Sequence, residues 1–529
     1  MRTLHVDFTE GMTSDIQDET AGVAKLIKHF DPITKPRTLT PYFSQTDADG
    51  SSTTNRIRDF LYYAGSDGTT PKLWGKGGAD ASSNRTVIYY KSDYTSNTWA
   101  ATANNSIGNA AQDGVFVEYH DFFYGICSGG TTGKGYVFRY DPTGSASMDN
   151  NYFNTLGATA IIGPTTNLNG SIPNGVVHSK DDILYLACGN FIVSLNYNGG
   201  SPVATNPALT LPAKYYISAM CEYGNYLAIG CTPYGAGKSV VYLWDRNSSL
   251  TTLSESIDFG YGQLKVLDQI EGVLIGVSLR QDALSTLPPR LVFREYAGSI
   301  AQIFREIIGS SATQVQLEHG QKFNANRLYF SAGLTIDGVL HNGVWAVARG
   351  PSGRWVVWID RLPNNDTAVY NVAGFYYLGD YATIAYADTA VHQGSSTTGF
   401  HMSMTNSSSS YSATSIVETV INPSMPAKIR GAAGHRVYNK QLHTVDVQSL
   451  PLPSAGQLVT KYKTDTDVTG SWTTVTTDTT DNAVSRESVV DASGNYFTDG
   501  REFQFRIEST GGAIVNALAY KYEELETNL

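Results

Sequence analysis

Carboxylates, histidines and cysteines are the residues from which this chain could build a reactive centre. Cleaving a glycosidic bond needs two carboxylates flanking one bond. Here Asp and Glu are scattered among turn-rich segments, and no pair stands out by spacing. A calcium loop would need a run of alternating oxygen donors, a central Gly and a closing Glu. Asp47, Asp49 and Gly50 in TDADGSS begin that way, but the Gly comes too early and no Glu follows at the required distance. The ten His residues are dispersed. His341 and His401 lie beside apolar runs, His435 and His443 are eight apart, and none has the His-x-x-x-His spacing of a helical zinc site. The four cysteines, Cys127, Cys188, Cys221 and Cys231, contain no Cys-x-x-Cys pair and sit in or beside apolar runs, so buried free thiols are expected. A hairpin turning at Tyr223–Asn225 would put Cys221 near Tyr226 and Cys231 opposite Tyr216, well apart. GTTGKG at Gly130–Gly135 lies between two runs rather than before a helix, so it reads as a hairpin loop and not a phosphate loop. No catalytic, cofactor-binding or metal-binding residue is assigned, no cofactor is expected, and the chain is expected not to be an enzyme.

The elements that would position any such residue repeat. Seven apolar runs recur: FLYYAG at Phe60–Gly65, FFYGIC at Phe122–Cys127, ILYLACG at Ile183–Gly189, YLAIGC at Tyr226–Cys231, VLIGVS at Val273–Ser278, RLYFSAG at Arg327–Gly333 and YATIAYA at Tyr381–Ala387. Each is followed by a turn and a second aromatic-rich run: KLWGKG, YVFRYD, FIVSLNYN, VVYLWD, LVFREY, GVWAVA and FHMSM. Their starts are 43 to 62 residues apart, and a propeller blade repeats at roughly 40–50 residues. Short runs rich in Tyr, Val, Ile and Phe, separated by Gly, Asn, Asp and Ser, read as strands and turns. The expectation is an all-β fold, with a propeller of about seven blades followed by a β-sandwich. Helix-like spacing occurs near the N-terminus, at Val23, Leu26, Ile27 and Phe30, where a strand fits equally well.

Composition narrows the classes of function. Charged residues make up 16% of the chain and the formal net charge is −11. With no basic stripe, binding a nucleic acid backbone is not expected to be the main role. No apolar run is long enough to span a membrane, and MRTLHVDFTEGM lacks the apolar core of a secretory signal. The chain is therefore expected to stay in a cytosol or to leave it by lysis.

The repeats end near residue 405, a Ser-rich stretch and the run SIVETVIN follow, and the texture changes after Pro423 and Pro426. LVTKYKTD and EFQFRIE alternate apolar and polar residues, as strands with one buried face do. The expected division is an N-terminal arm and closing segment over 1–57, a propeller over 58–422 and a β-sandwich over 423–529. SIVETVIN is expected to close the propeller against TLTPYFSQ, so that residues near 38–45 and 413–421 share a blade.

The order SIVETVIN, a Lys-led strand, a Pro-Leu-Pro step, the DTDVTGSWT hairpin, FRI and GGAIVNALAYKY over residues 413–525 resembles tail and virion structural proteins of tailed bacteriophages. GVAKLIKHFDPITKPRTLTPY resembles their opening. The resemblance implies a structural subunit of a phage tail or connector, made in the host cytoplasm and carried in the virion. It would act through protein–protein contacts with other tail proteins in a symmetric homo-oligomeric ring, with passing contact with phage DNA and no membrane span. An acidic lining of a DNA exit path would repel phosphates. Two alternatives stand beside it. Loops such as NNSIGN, DNNYFN and RNSSL suit a glycan- or receptor-binding adhesin on the particle. A propeller glycosidase is the second. Sialidases, which are propellers, carry an Asp box of the form S-x-D-x-G-x-T-W. Ser92–Trp99 departs from it at Tyr94 and Ser96, and Asp465–Trp472 keeps little beyond Asp467 and Trp472. The FRI at Phe505–Ile507 lacks the Pro of the sialidase FRIP motif and sits at the wrong end of the chain.

Overall fold

The computed structural model describes residues 2–13, 22–47, 57–63, 72–79, 86–91, 100–101, 116–129, 134–143, 148–162, 174–247, 253–281, 288–310, 316–323, 326–363, 371–379, 381–387, 400–405, 411, 414–421, 440–464, 471–480, 484–488 and 502–524. The protein is all-β, and the one helix among the described residues is the single turn α1 (Tyr152–Thr155). The N-terminal segment supplies β1 (Arg2–Val6), β2 (Ala24–Lys28), β3 (Phe30–Asp31), β4 (Thr40–Pro41) and β5 (Gln45–Asp47). The segment around Val23–Phe30, open to either reading in the sequence, is thus strand; β2 is buried along its whole length.

Seven antiparallel sheets follow in chain order. The first holds β6 (Ile57–Tyr63), β7 (Lys72–Ala79), β8 (Thr86–Lys91) and β9 (Ala100–Ala101). The second holds β10 (Phe116–Tyr119), β11 (Phe122–Gly129) and β12 (Lys134–Tyr140). The third holds β13 (Asn174–His178), β14 (Ile183–Cys188), β15 (Phe191–Asn198) and β16 (Ser201–Thr210). The fourth holds β17 (Tyr215–Tyr223), β18 (Tyr226–Pro233), β19 (Lys238–Trp244) and β20 (Glu255–Tyr261). The fifth holds β21 (Gln263–Ile270), β22 (Val273–Arg280), β23 (Arg290–Tyr296) and β24 (Gln302–Ile308). The sixth holds β25 (Gln316–Lys322), β26 (Arg327–Ile336), β27 (Val339–Arg349) and β28 (Trp355–Arg361). The seventh holds β29 (Asn371–Leu378), β30 (Tyr381–Ala387) and β31 (Phe400–Thr405), with β5 as its fourth strand. First strands pack side by side in the order β6, β10, β13, β17, β21, β25 and β29, and β29 returns to pack against β6. The ring closes by packing; no sheet closes on itself by hydrogen bonds.

The burial explains why the middle strands are so apolar. β14, β18 and β22 are nearly continuous buried runs, because each lies inside a sheet covered on both faces by its neighbours. The fourth strand β16 has one face in water and alternates accordingly. Six of the seven repeated runs are second strands, but FLYYAG begins in β6, a first strand. The loose spacing early in the chain is partly this one-strand shift of phase.

After the seventh sheet come β32 (Ser415–Thr419), β33 (Lys440–Ser449), β34 (Gln457–Thr464), β35 (Thr473–Asp478), β36 (Val484–Ser488), β37 (Phe503–Thr510) and β38 (Val515–Glu524). They form two facing sheets. One runs β1-β38-β33-β36, and the other, β2-β32-β37-β34-β35, continues the sixth sheet through β28. Phe505 of one meets Tyr520 of the other with ring centroids 4.8 Å apart. Strands from the first 28 residues thus belong to the same two sheets as the C-terminal segment.

The expected closing pair is not formed. SIVETVIN supplies β32, whose two edges are taken by β2 and β37: Val417 faces Ile27 on one side and Ile507 on the other. A strand buried at its centre in this way cannot also close the ring. Closure falls to β5, whose Gln45 pairs with Thr405 of β31. Under this joint lies a buried polar knot. The Thr405 hydroxyl accepts from Arg361 Nη1 at 2.7 Å, Gln45 Nε2 at 3.0 Å and the Ala382 amide at 2.8 Å. Asp360 accepts from Tyr377 at 2.6 Å and Trp358 Nε1 at 3.0 Å.

Candidate active site

Short turns between the first and second strands of the second, fourth and fifth sheets emerge on one edge of the ring, where side chains join them to neighbouring sheets. Tyr119 pairs with Phe122 across His120–Asp121, Tyr223 with Tyr226 across Gly224–Asn225, and Ile270 with Val273 across Glu271–Gly272. Glu271 and Gly272 have φ values of 49° and 81°, as a two-residue turn matched to strand twist requires. Such short turns hold polar residues near the ends of these first strands, among them Glu222, Asp268 and Gln269, close to the neighbouring sheet.

These residues link sheet to sheet. His120 Nε2 lies 2.9 Å from Asp182 Oδ2, and the Tyr119 hydroxyl donates to the Asp182 carbonyl at 2.5 Å. Lys180 Nζ donates to Asn225 Oδ1 at 2.8 Å, and the Gly224 amide to Gln269 Oε1 at 3.2 Å. Lys322 Nζ donates to the Gln269 carbonyl at 3.2 Å, and Arg349 Nε lies 3.3 Å from Glu271. The links run from the second sheet to the sixth.

Inside this girdle sits a cluster from the third to sixth sheets. His178, 1% exposed, has Nδ1 3.5 Å from Glu222 Oε1 and 3.6 Å from Asp181 Oδ1. Arg246 Nε pairs with Asp181 at 2.5 Å, and the Tyr185 hydroxyl donates to the same carboxylate at 3.3 Å. Glu222, 36% exposed, accepts from the Ser179 amide. Asp268 is 18% exposed, with Lys322 Nζ 3.5 Å from Oδ1. Burial pushes the Asp268 carboxyl above the usual range; Lys322 and the Gln269 amide work against this, and the Glu222 charge adds to it. Two carboxyl groups thus lie within each other's field, one half-exposed and one disposed to keep its proton.

The buried knot offers a second carboxyl pair with divergent titration. Burial alone would raise Asp31, but Arg327 and hydrogen bonds from Thr34 and Ile33 hold it below the usual range. Burial raises Asp360, with Arg361 opposing. Asp360 is fully enclosed, so this pair is a joint between the N-terminal segment and the sixth and seventh sheets, closed to substrate.

The motifs weighed in the sequence lie elsewhere. Asp47 ends β5, and Asp49 and Gly50 lie outside the described residues, as do Ser92–Trp99 and His435. Trp472 lies between Lys463 Nζ and the Arg506 guanidinium, 4.7 and 4.8 Å from its ring. FRI is the middle of β37, with Phe505 and Ile507 buried. GTTGKG begins between β11 and β12, which pair antiparallel. His341 is buried on β27, and His443 Nε2 lies 3.5 Å from Glu523. Cys188, Cys221 and Cys231 are buried, and Cys221 and Cys231 carry free thiols. Cys221 faces Ala228, and a bulge between Ile217 and Ala219 puts Cys231 opposite Ile217 rather than Tyr216. Glu222, Asp268, His178 and Asp181 were not singled out. Their shared signal is position, at the end of a first strand or in the turn after it. Among the described residues, no group of His, Cys, Asp and Glu is arranged to hold a metal ion, and no helix is long and apolar enough to cross a membrane.

No family model matches the chain, and no curated protein matches it. Solved structures do. A glycoside hydrolase is 10% identical, with a TM-score of 0.30, over 90% of this chain and 100% of that one. The β-propeller domain of Cps50 (Swd1) from Myceliophteria thermophila is 11% identical, with a TM-score of 0.39, over 69% of this chain and 100% of that one. An exo-β-1,3-galactanase from Phanerochaete chrysosporium is 10% identical, with a TM-score of 0.29, over 90% and 100%. The expectation of a non-enzymatic phage tail subunit is corrected here: the similar structures are glycoside hydrolases and a propeller domain, and none of those named is a tail protein.

Proposed function

We propose that the chain is a glycosidase whose seven sheets are the blades of a propeller and whose last two sheets form a β-sandwich. Support for the propeller is the circular packing of the seven first strands, with β5 completing the last blade. The propeller would lie within 58–422, with β32 at the end of that range going to the sandwich. The sandwich of 423–529 would be completed by β1, β2 and β32.

The observation that carries the enzymatic reading is the Asp268–Glu222 pair. Glycoside hydrolysis needs one carboxylic acid that keeps its proton and a second carboxylate across the bond. Asp268, raised by burial, fits the acid that protonates the leaving oxygen. Glu222, twice as exposed, supplies the second carboxylate. Lys180, Asn225 and Gln269 offer donors and acceptors for sugar hydroxyls, and Tyr223 and Tyr226 flank the same turn, half-buried.

The test is hydrolysis of a panel of β-linked galacto- and xylo-oligosaccharides and their aryl glycosides by the full chain. Asp268→Asn and Glu222→Gln should each lower kcat by about 10²–10⁴-fold with unchanged circular dichroism. Saturable sugar binding without hydrolysis in the unmodified chain would instead favour the adhesin alternative. Activity surviving in both variants would place catalysis elsewhere.

A further inference from the structure

The opposite edge of the ring carries a different chemistry, between the fourth and fifth sheets. Tyr261 ends β20 and is 53% exposed. Two cations stand near its ring, Lys238 Nζ and the Arg280 guanidinium, each 5.9 Å from the centroid. Lys238 also pairs with Asp258 at 2.6 Å. Beneath this platform runs Arg294, only 7% exposed. A Cβ on Gly260, which has a φ of 70°, would stand 2.7 Å from Arg294 Nη2, so the guanidinium passes directly under the backbone before Tyr261.

Ser278 faces Val292, and Arg294 lies two residues further along β23, so both project from the same face of the fifth sheet. The Arg294 Nη1 and Ser278 Oγ atoms are buried and have no hydrogen-bond partner among the described residues. Buried donors without acceptors are costly, and an orphaned guanidinium nitrogen more so than a hydroxyl. Burial pulls Arg294 below the usual range, with the Glu306 and Asp258 charges working the other way. A protein of net charge −11 thus gathers three cations, two orphan donors and an exposed aromatic ring in one place.

We propose that this edge is a binding site for an anionic saccharide, with its carboxylate or sulfate on Arg280 and Arg294 and a sugar ring on Tyr261. Arginine suits both anions through paired hydrogen bonds. The ring of Tyr261 offers an apolar face to sugar C–H groups, and Asp258 offers an acceptor for hydroxyls. That acceptor, with the acidic whole, argues against a nucleic acid, whose phosphates would meet repulsion along any extended track. The site is separate from Glu222 and Asp268 and does not depend on them.

Calorimetric titration of the full chain at physiological salt tests the proposal. The probes are an oligogalacturonate, a sulfated galactan oligosaccharide, a neutral galactan oligosaccharide of equal length and a single-stranded DNA oligomer. At least one anionic sugar should bind, at least tenfold tighter than the neutral one; which of the two binds identifies carboxylate or sulfate as the ligand. Arg280→Ala and Tyr261→Ala should each weaken binding roughly tenfold, and Arg294→Gln should weaken it further. Should Arg294→Gln not fold, the Arg280→Ala and Tyr261→Ala variants decide. Failure of both anionic sugars to bind overturns the proposal. So does equal binding of the neutral sugar, tighter binding of the DNA, or indifference to Arg280→Ala and Tyr261→Ala.

Discussion

Lys322 governs how firmly Asp268 holds its proton. Burial raises the Asp268 carboxyl, and the ammonium 3.5 Å away opposes that rise. If Asp268 is the general acid, activity falls as pH climbs through its titration, since only the protonated form can donate. Removing Lys322 removes an effect that lowers this titration, so Lys322→Ala should move the alkaline limb of kcat/KM to higher pH. A pH–rate profile checks the direction; a shift to lower pH would show that Lys322 acts on another group. None of this could be read along the chain. Glu222 and Asp268 belong to different repeats, and each sits in a commonplace strand ending, EYGN or DQIEG. Only the packing of neighbouring first strands turns two unremarkable acids into a pair, and only burial separates their behaviour.

Single strands show where the sequence speaks clearly. The runs ILYLAC, YLAIGCTP and VLIGVSLR are legible because both faces are buried and nearly every residue must be apolar. Edge strands such as β24, QIFREII, are half in water and carry no comparable pattern. The segment around Val23–Phe30 was ambiguous for the opposite reason, since uniform burial erases the distinction between helical and extended periodicity. The closing strand β5 spans only Gln45–Asp47 and begins at the last residue of TLTPYFSQ, which was expected to close the ring against a different partner. It is held instead by side chains, with Thr405 as the hub. Thr405→Val removes the acceptor for Arg361, Gln45 and Ala382 while keeping the volume. Leaving such donors buried without partners should cost about 2–4 kcal/mol. The midpoint and slope of denaturant unfolding would measure this, and a loss below about 0.5 kcal/mol would show that the knot does not secure the closure.

Across the whole molecule, the chain is laced from both ends. β1 pairs with β38, register running from Arg2 opposite Tyr522 to Val6 opposite Leu518. β2 lies between β28 and β32, so it joins the sixth sheet to the last part of the fold. Deleting residues 1–31 should therefore expose the faces of both C-terminal sheets, including Val417, Ile507 and Tyr520. The expected result is strong binding of a hydrophobic dye and loss of near-ultraviolet circular dichroism. A truncated chain that keeps native spectra and melts cooperatively would show that the N-terminal strands are dispensable. The expected boundary at residue 423 missed this lacing because texture changes locally, whereas strand pairing between residues 2 and 522 leaves no local trace.

The Arg2–Tyr522 pairing also has a consequence during synthesis. Ribosomes add roughly 5–20 residues per second, so the first strand waits on the order of half a minute or more for its partner to emerge. For much of that interval AKLIK is unpaired too, since its strand partners lie near residues 359 and 417. The nascent chain must then be kept from pairing with the wrong edge, and its yield should depend on chaperone supply more steeply than that of a protein whose sheets are completed in the order they are made.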